Sequence, residues 1–221
     1  MSISGVRAPL VPLAAVALSV LSIFLCYGIA LAHDRVPSGL RDLPDITHCV
    51  LHQPARGVFV ALFIPACLLI ALSWVLGACA LEPPSRAAEG VTAGRVSAGV
   101  GVLACGFLVM GEAALDPEPD WTVHVLGASG FFLLSMLAEA GFAVASSRSP
   151  RALTPASVRA KQAVAALNFA LILLDACWKH NLIEWLLAFT VMGFHLTFAM
   201  DLRGSVLTMQ QPSAGEPLLH S

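Results

Sequence analysis

The chain has 221 residues, 57% hydrophobic and only 12% charged, with a mean hydropathy of +0.81. A water-soluble domain of this size has no use for so much apolar surface, so the composition points to a polytopic membrane protein. The net charge of −2 excludes the basic footprint of a nucleic-acid binder, and six cysteines without CxxC spacing argue against a zinc ribbon.

Six apolar segments follow one another, at 9–32, 57–81, 95–115, 122–146, 162–178 and 182–202. Each approaches the ~20 residues that a helix needs to cross ~30 Å of hydrocarbon. The expected fold is therefore all-α: a six-helix transmembrane domain over residues 1–203, followed by a disordered cytoplasmic tail, 204–221. Lys and Arg divide unevenly between the two sides. Arg7, Arg86, Arg95, Arg148, Arg151, Arg159, Lys161 and Arg203 fall on one side; Arg35, Arg41, Arg56 and Lys179 fall on the other. The positive-inside rule then predicts that both termini are cytoplasmic.

Arg7, the apolar run and "ALA" at 30–32 imitate a cleaved signal peptide. The run, roughly 23 residues against a usual 7–15, is long for one and reads as a membrane span, with cleavage as the alternative. The loop 33–56 carries "DLPDITHCVLHQPARGVF". Asp45, His48, Cys49 and His52 there imitate a metal site, but the spacing is generic. The reading is a packed lumenal cap, with no metal and no cofactor.

Pro65 predicts a kink in the second span. In the third, Ser97, Gly101 and Cys105 place a small residue every four positions, which permits close helix contact. The loop 147–161, "SRSPRALTPASVRAK", reads as a solvated basic stretch, able to touch anionic lipid or a protein partner. Cys49 and Cys177 fall on the lumenal side and form a candidate disulfide. Cys26, Cys67 and Cys105 lie in spans and read as packing residues.

Ionisable groups inside a membrane are costly and mark functional sites by default. Glu184 and His195 are eleven residues apart on the last span and so share one face, with His195 roughly 16 Å deeper. His124 opens the fourth span and Glu139 lies roughly 22 Å further in, one turn beyond Ser135. Glu112 ends the third span; Asp175 ends the fifth, with Asn168 two turns inward. Two polar tiers result. The outer one is Glu112, His124, Asp175, His180 and Glu184; the deeper one is Glu139 and His195. Asp201 reads as a solvated helix end beside Arg203.

One reading of the tiers is a cavity lined by carboxylate and imidazole, open to the outer leaflet. It would hold a lipid headgroup or perform acid–base chemistry on an ester or hydroxyl. His195, Glu184 and His124 are then the candidate catalytic groups; Glu112, Glu139, Asp175 and His180 are candidate lipid contacts. The other reading is that these groups satisfy one another and fix helix register.

Three blocks of sequence resemble a known family, the six-helix membrane proteins that include the damage-regulated autophagy modulators and the FRAG-type and SFK-type proteins. In "LPDITHCVLHQPARGVF" the matching residues are Pro44, Ile46, Pro54 and Phe59, with Thr47 where the family usually has Ser. In "HVLGASGFF" they are His124, Gly127 and the aromatics. In "IEWLLAFTVMGFHLTFAMDL" they are Glu184, Thr190, His195, Thr197 and Asp201, with Met200 in place of an aromatic. The last block looks most like the post-GPI-attachment factor 2 branch. That resemblance implies a Golgi or endoplasmic reticulum protein that takes part in reacylating the lipid of GPI anchors. The alternative within the family is a non-catalytic regulator or scaffold of autophagy or phosphoinositide signalling, at the plasma membrane or lysosome, which would recruit partners through its cytoplasmic loop and tail.

Overall fold

The computed structural model describes residues 6–37, 43–81, 92–115, 118–148, 153–178 and 180–207. Six long helices account for most of them: α1 (Leu10–Ala32), α3 (Ala55–Leu81), α4 (Ala93–Ala113), α5 (Trp121–Ser147), α6 (Pro155–Cys177) and α7 (Asn181–Asp201). All six are long and apolar enough to cross a membrane. A short helix, α2 (Ile46–Val50), lies in the connection between α1 and α3. The chain is a multi-pass membrane bundle, as its hydropathy predicts.

Polar side chains start these helices by accepting from free first-turn N–H groups. Asp45 caps α2 at His48 N (2.7 Å), Asp120 caps α5 at Thr122 N and Val123 N, and Thr154 caps α6 at Ser157 N. Thr154 is followed by Pro155, whose fixed φ and missing N–H suit a first helical position. This Thr–Pro pair starts α6 well before the apolar run at 162, so much of the expected basic loop is helix.

The long helices alternate in direction and pack as neighbours α1–α3, α4–α5 and α6–α7. One end of the bundle, the terminal face, carries the first and last described residues. There β1 (Val6–Arg7) pairs antiparallel with β2 (Val206–Leu207), Val6 opposite Leu207 and Arg7 opposite Val206. The expected tail therefore begins in a strand, and its remainder, from 208, lies outside the described residues. The opposite end, the loop face, carries α2, the α4–α5 connection and the α6–α7 turn.

Lipid tails are as apolar as leucine, so tight packing rather than water exclusion holds such helices together. Small residues allow it. A Cβ on Gly127 would sit 2.4 Å from Gly111 Cα, and one on Gly101 would sit 2.3 Å from the Trp74 ring. Around Trp74 gather Phe142, Phe194 and Phe198, all fully buried, with ring centroids 5.2–6.0 Å from it. Leu68, Leu133 and Leu173 point outward, the surface that hydrocarbon would cover.

The terminal face overturns one expectation. Asp201 is not solvated beside Arg203. Its side chain is 1% exposed and pairs with the fully buried Lys161, Nζ to Oδ2 2.5 Å, while Ser157 Oγ hydrogen-bonds the other carboxylate oxygen. Lys161 also donates to Ser157 Oγ at 2.8 Å and stands 5.4 Å from the centre of the Phe198 ring. A buried charge needs a partner and further hydrogen bonds, which Arg203, an exposed residue beyond the helix end, does not supply.

Candidate functional site: a capped cleft at the loop face

The loop between α1 and α3 is folded down onto the bundle. Trp185 Nε1 donates to Pro44 O (2.8 Å) and Asn181 Nδ2 donates to Leu43 O (2.8 Å), so the start of α7 holds the approach to α2. Cys49 and Val50 bury the underside of α2 against Cys26, Ala55 and Phe59. The exposed His48 rests on Asp45, Nδ1 to Oδ1 2.6 Å. The segment is the packed cap its sequence suggested.

Under this cap α5, α6 and α7 leave an open cleft of about 530 Å³, lined by Asp45, Thr47, His124, Asp175, His180 and Glu184 among apolar residues of the three helices. That volume suits a small-molecule or headgroup site. A narrower cavity of about 70 Å³ continues inward between α1, α3, α4, α5 and α7. Its polar lining includes Thr47, Glu112, His124 and Glu184, and its walls are aliphatic and aromatic, with Ile23, Phe59, Phe63, Phe131 and Met192 among them. Thr47, His124, Ala128, Phe132 and Glu184 line both spaces. The structure thus brings all five residues of the outer tier to one continuous site.

His124 is 6% exposed and held from two sides. Nδ1 lies 3.0 Å from Gly111 O and Nε2 lies 3.1 Å from Thr47 Oγ1. A carbonyl oxygen can only accept, so Nδ1 carries a proton; in the neutral ring Nε2 then accepts from the Thr47 hydroxyl. The close approach of Gly111 and Gly127 brings α4 near enough for its carbonyl to fix this tautomer. Glu112 faces His124 and pairs with Arg56, Nη1 to Oε2 3.1 Å, while Arg56 Nη2 donates to the Glu112 carbonyl. Arg56 is itself 6% exposed. Glu184 stands against the Ile46 backbone N–H at the start of α2.

The deeper tier does not join this site. Glu139 Oε2 accepts from Asn168 Nδ2 (2.9 Å), and Asn168 Oδ1 accepts from Thr190 Oγ1 (3.4 Å), which ties α5, α6 and α7 together at one level. His195 is 1% exposed and donates from Nδ1 to Val191 O, 2.9 Å away. Its ring meets Trp74 and Phe198 edge-on at 5.3 and 5.7 Å, and Nε2 has no hydrogen-bond partner among the described residues. His195 lines neither the cleft nor the inner cavity. Its depth misleads because helical periodicity gives the side of α7 on which it lies but not what packs there. Glu139 is likewise a helix-joining group rather than a wall of the cleft.

Cys49 and Cys177 are both free thiols, so the expected disulfide is not formed. Cys49 is buried under α2 and donates to Asp45 O at 3.3 Å, whereas Cys177 is exposed at the end of α6. Burial and the Asp45 carboxylate push the Cys49 thiol up to about 12.

Two contributors to the site have no local signature of it: Thr47 shows in the sequence only as a departure from a family pattern, and Arg56 only as a topology charge. The Ser usually found at the position of Thr47 was a signal for a hydroxyl there.

A family model described as the Frag1/DRAM/Sfk1/Cwh43P N-terminal domain matches residues 7–205, from β1 to the turn before β2. No curated protein and no solved structure gives a match.

Proposed function

The chain belongs to the Frag1/DRAM/Sfk1/Cwh43P family, and we propose that it is a lipid-remodelling factor whose loop-face cleft holds the headgroup and ester region of a membrane lipid. The observation that carries this reading is that Thr47, His124 and Glu184 line both the open cleft and the apolar cavity behind it. Polar groups at the level of the helix ends suit a headgroup. Val125 and Leu133, which line the cleft on α5, are exposed apolar side chains against which acyl chains would lie in the hydrocarbon. His124 has a ring nitrogen directed at a hydroxyl within hydrogen-bond reach, the arrangement that proton transfer requires.

The resemblance to the post-GPI-attachment branch names the lipid. The substrate would be a GPI anchor in the lumenal leaflet of the Golgi or endoplasmic reticulum, and the step its reacylation. The positive-inside count supports this side, because it turns the loop face away from the cytoplasm. The competing reading, a non-catalytic regulator of autophagy or phosphoinositide signalling, draws support from the partners that Arg56 and Glu112 already find in each other.

Mass spectrometry of GPI-anchored proteins from cells lacking the protein decides between them. Reacylation predicts accumulation of anchors with one fatty chain fewer, corrected by the wild-type chain and not by Glu184→Ala. Unchanged anchor lipids, with altered autophagic flux or phosphoinositide levels, would sink the remodelling reading.

A further inference from the structure

Thr47 is the one hydroxyl on α2, and every group around it is arranged as for a nucleophile. Its oxygen is 3.1 Å from His124 Nε2, inside the range for proton abstraction. The imidazole is oriented by a third group, the Gly111 carbonyl 3.0 Å from Nδ1, which leaves the basic lone pair on the nitrogen that faces Thr47. Thr47 is partly exposed and lines both the cleft and the inner cavity. It sits on the cap at the level of the first turn of α5, near the end of a span rather than at its centre. Three parts of the chain converge to make the arrangement: the cap, α4 and α5.

We propose that Thr47 is a catalytic nucleophile that carries a fatty acyl group as an ester between a glycerophospholipid donor and a lysolipid acceptor. The inference rests on the lipid-remodelling reading above and adds a covalent intermediate to it. In the first half-reaction Thr47 Oγ1 attacks the donor's ester carbonyl while its proton passes to His124 Nε2. The tetrahedral adduct collapses, the donor's C–O bond breaks, and His124 returns the proton to the departing glycerol oxygen. The products are acyl-Thr47 and a lysophospholipid. In the second half-reaction the acceptor hydroxyl loses its proton to His124 and attacks the acyl-Thr47 carbonyl. Thr47 leaves as its alkoxide, takes the proton back, and the acceptor is esterified. No oxidant, metal or nucleotide is consumed. Glu112, held by Arg56, faces His124 in the same space and steadies the imidazolium that forms in each half-reaction.

The test uses the full chain in nanodiscs of phosphatidylcholine with a deuterated sn-2 chain, with and without lysophosphatidylinositol as acceptor. Without acceptor, acid-quenched intact-protein mass spectrometry should show one deuterated acyl adduct, mapped by peptide sequencing to Thr47. Added acceptor should discharge it and yield labelled phosphatidylinositol. Thr47→Ser should keep both signals. Thr47→Val, which preserves shape and removes the hydroxyl, should lose the adduct and at least about 100-fold in transfer while melting close to wild type. Full transfer by Thr47→Val would overturn the nucleophile and leave the remodelling reading standing, with His124 activating the acceptor directly. Acylation at another residue would also overturn it. If the wild-type chain forms no adduct and transfers nothing, the nucleophile is overturned, and the anchor-lipid measurement separately decides the remodelling reading.

Discussion

Lys161 and Asp201, 40 residues apart in sequence, meet at 2.5 Å between α6 and α7 with both side chains sealed from solvent. Removing one partner leaves an uncompensated charge in a low-dielectric interior, which costs about 3–5 kcal/mol. Lys161→Ala is therefore expected to lower the melting temperature in detergent sharply. Lys161→Met with Asp201→Leu, which removes both charges and keeps volume, should recover most of the loss. A melt of Lys161→Ala within a degree of wild type would show that the pair holds nothing together.

Gly127 sets the distance between α4 and α5. A Cβ there would meet Gly111 Cα at 2.4 Å, Gly111 N at 2.5 Å and Phe107 O at 2.7 Å, all backbone atoms that cannot step aside. Gly127→Ala should thus separate the helices and cost about 1–3 kcal/mol by overpacking. It should also weaken the bond from His124 to Gly111 and depress acyl transfer. Gly106→Ala, on the same α4 but with nothing within 4 Å of its Cβ, should leave both properties unchanged. Equal melting temperatures for the two variants would refute the tight crossing.

The two cysteines of the loop face should behave differently toward a maleimide. With Cys49 pushed up to about 12 by burial and its carboxylate neighbour, fewer than about one thiol in ten thousand is ionised at neutral pH. Cys177 is exposed. Labelling of the folded chain from the loop-face side is expected to modify Cys177 and spare Cys49 until detergent denaturation opens the cap. A non-reduced sample in which neither reacts after denaturation would instead reveal a disulfide.

The side of the membrane can be read by glycosylation. An acceptor sequence inserted among residues 118–120, at the loop face, should be modified in microsomes. One placed at 149–152, in the α5–α6 connection, should not. The reverse pattern would invert the orientation predicted from the Lys and Arg distribution, and with it the leaflet that the cleft faces.

What the sequence could tell about this chain depended on the range of the cause. Hydropathy acts over each span separately, so the six helices were legible, and the positions of Glu184 and His124 near the ends of their spans put them at one level. Caps are local as well, yet the Thr154–Pro155 signal was masked by the basic residues around it. Partner choice is not local. A charge at a helix end has the same sequence signature whether it snorkels to water or pairs in the interior, so nothing local marks Arg56, Lys161 and Asp201 as buried partners. The hydrogen bond between Thr47 and His124 spans 77 residues, and nothing in either neighbourhood announces the other. His195 shows the same limit from the opposite direction: its place along α7 is a local property, but the rings that enclose it come from α3 and from its own helix.

That enclosure gives His195 a testable role distinct from the one its depth suggested. Its ring sits among Trp74 and Phe198 and donates to Val191 O, a carbonyl that is also in position to accept the helical bond from the backbone N–H of residue 195. Removing the imidazole therefore strands no acceptor, and an unpartnered buried Nε2 disappears with it. Replacing a buried polar group by an apolar one of similar shape is nearly neutral when no partner is left unpaired. His195→Leu is expected to melt near wild type and to retain lipid transfer. His195→Ala, which opens a cavity among the rings, should cost about 2–5 kcal/mol by analogy with other large-to-small core changes. His124→Leu, in contrast, strips the Thr47 hydroxyl of its acceptor and should lose at least about 100-fold in transfer. Side-by-side assays of the two leucine variants separate the roles. Transfer lost in His195→Leu at an unchanged melting temperature would return that residue to the chemistry and remove the cleft from it.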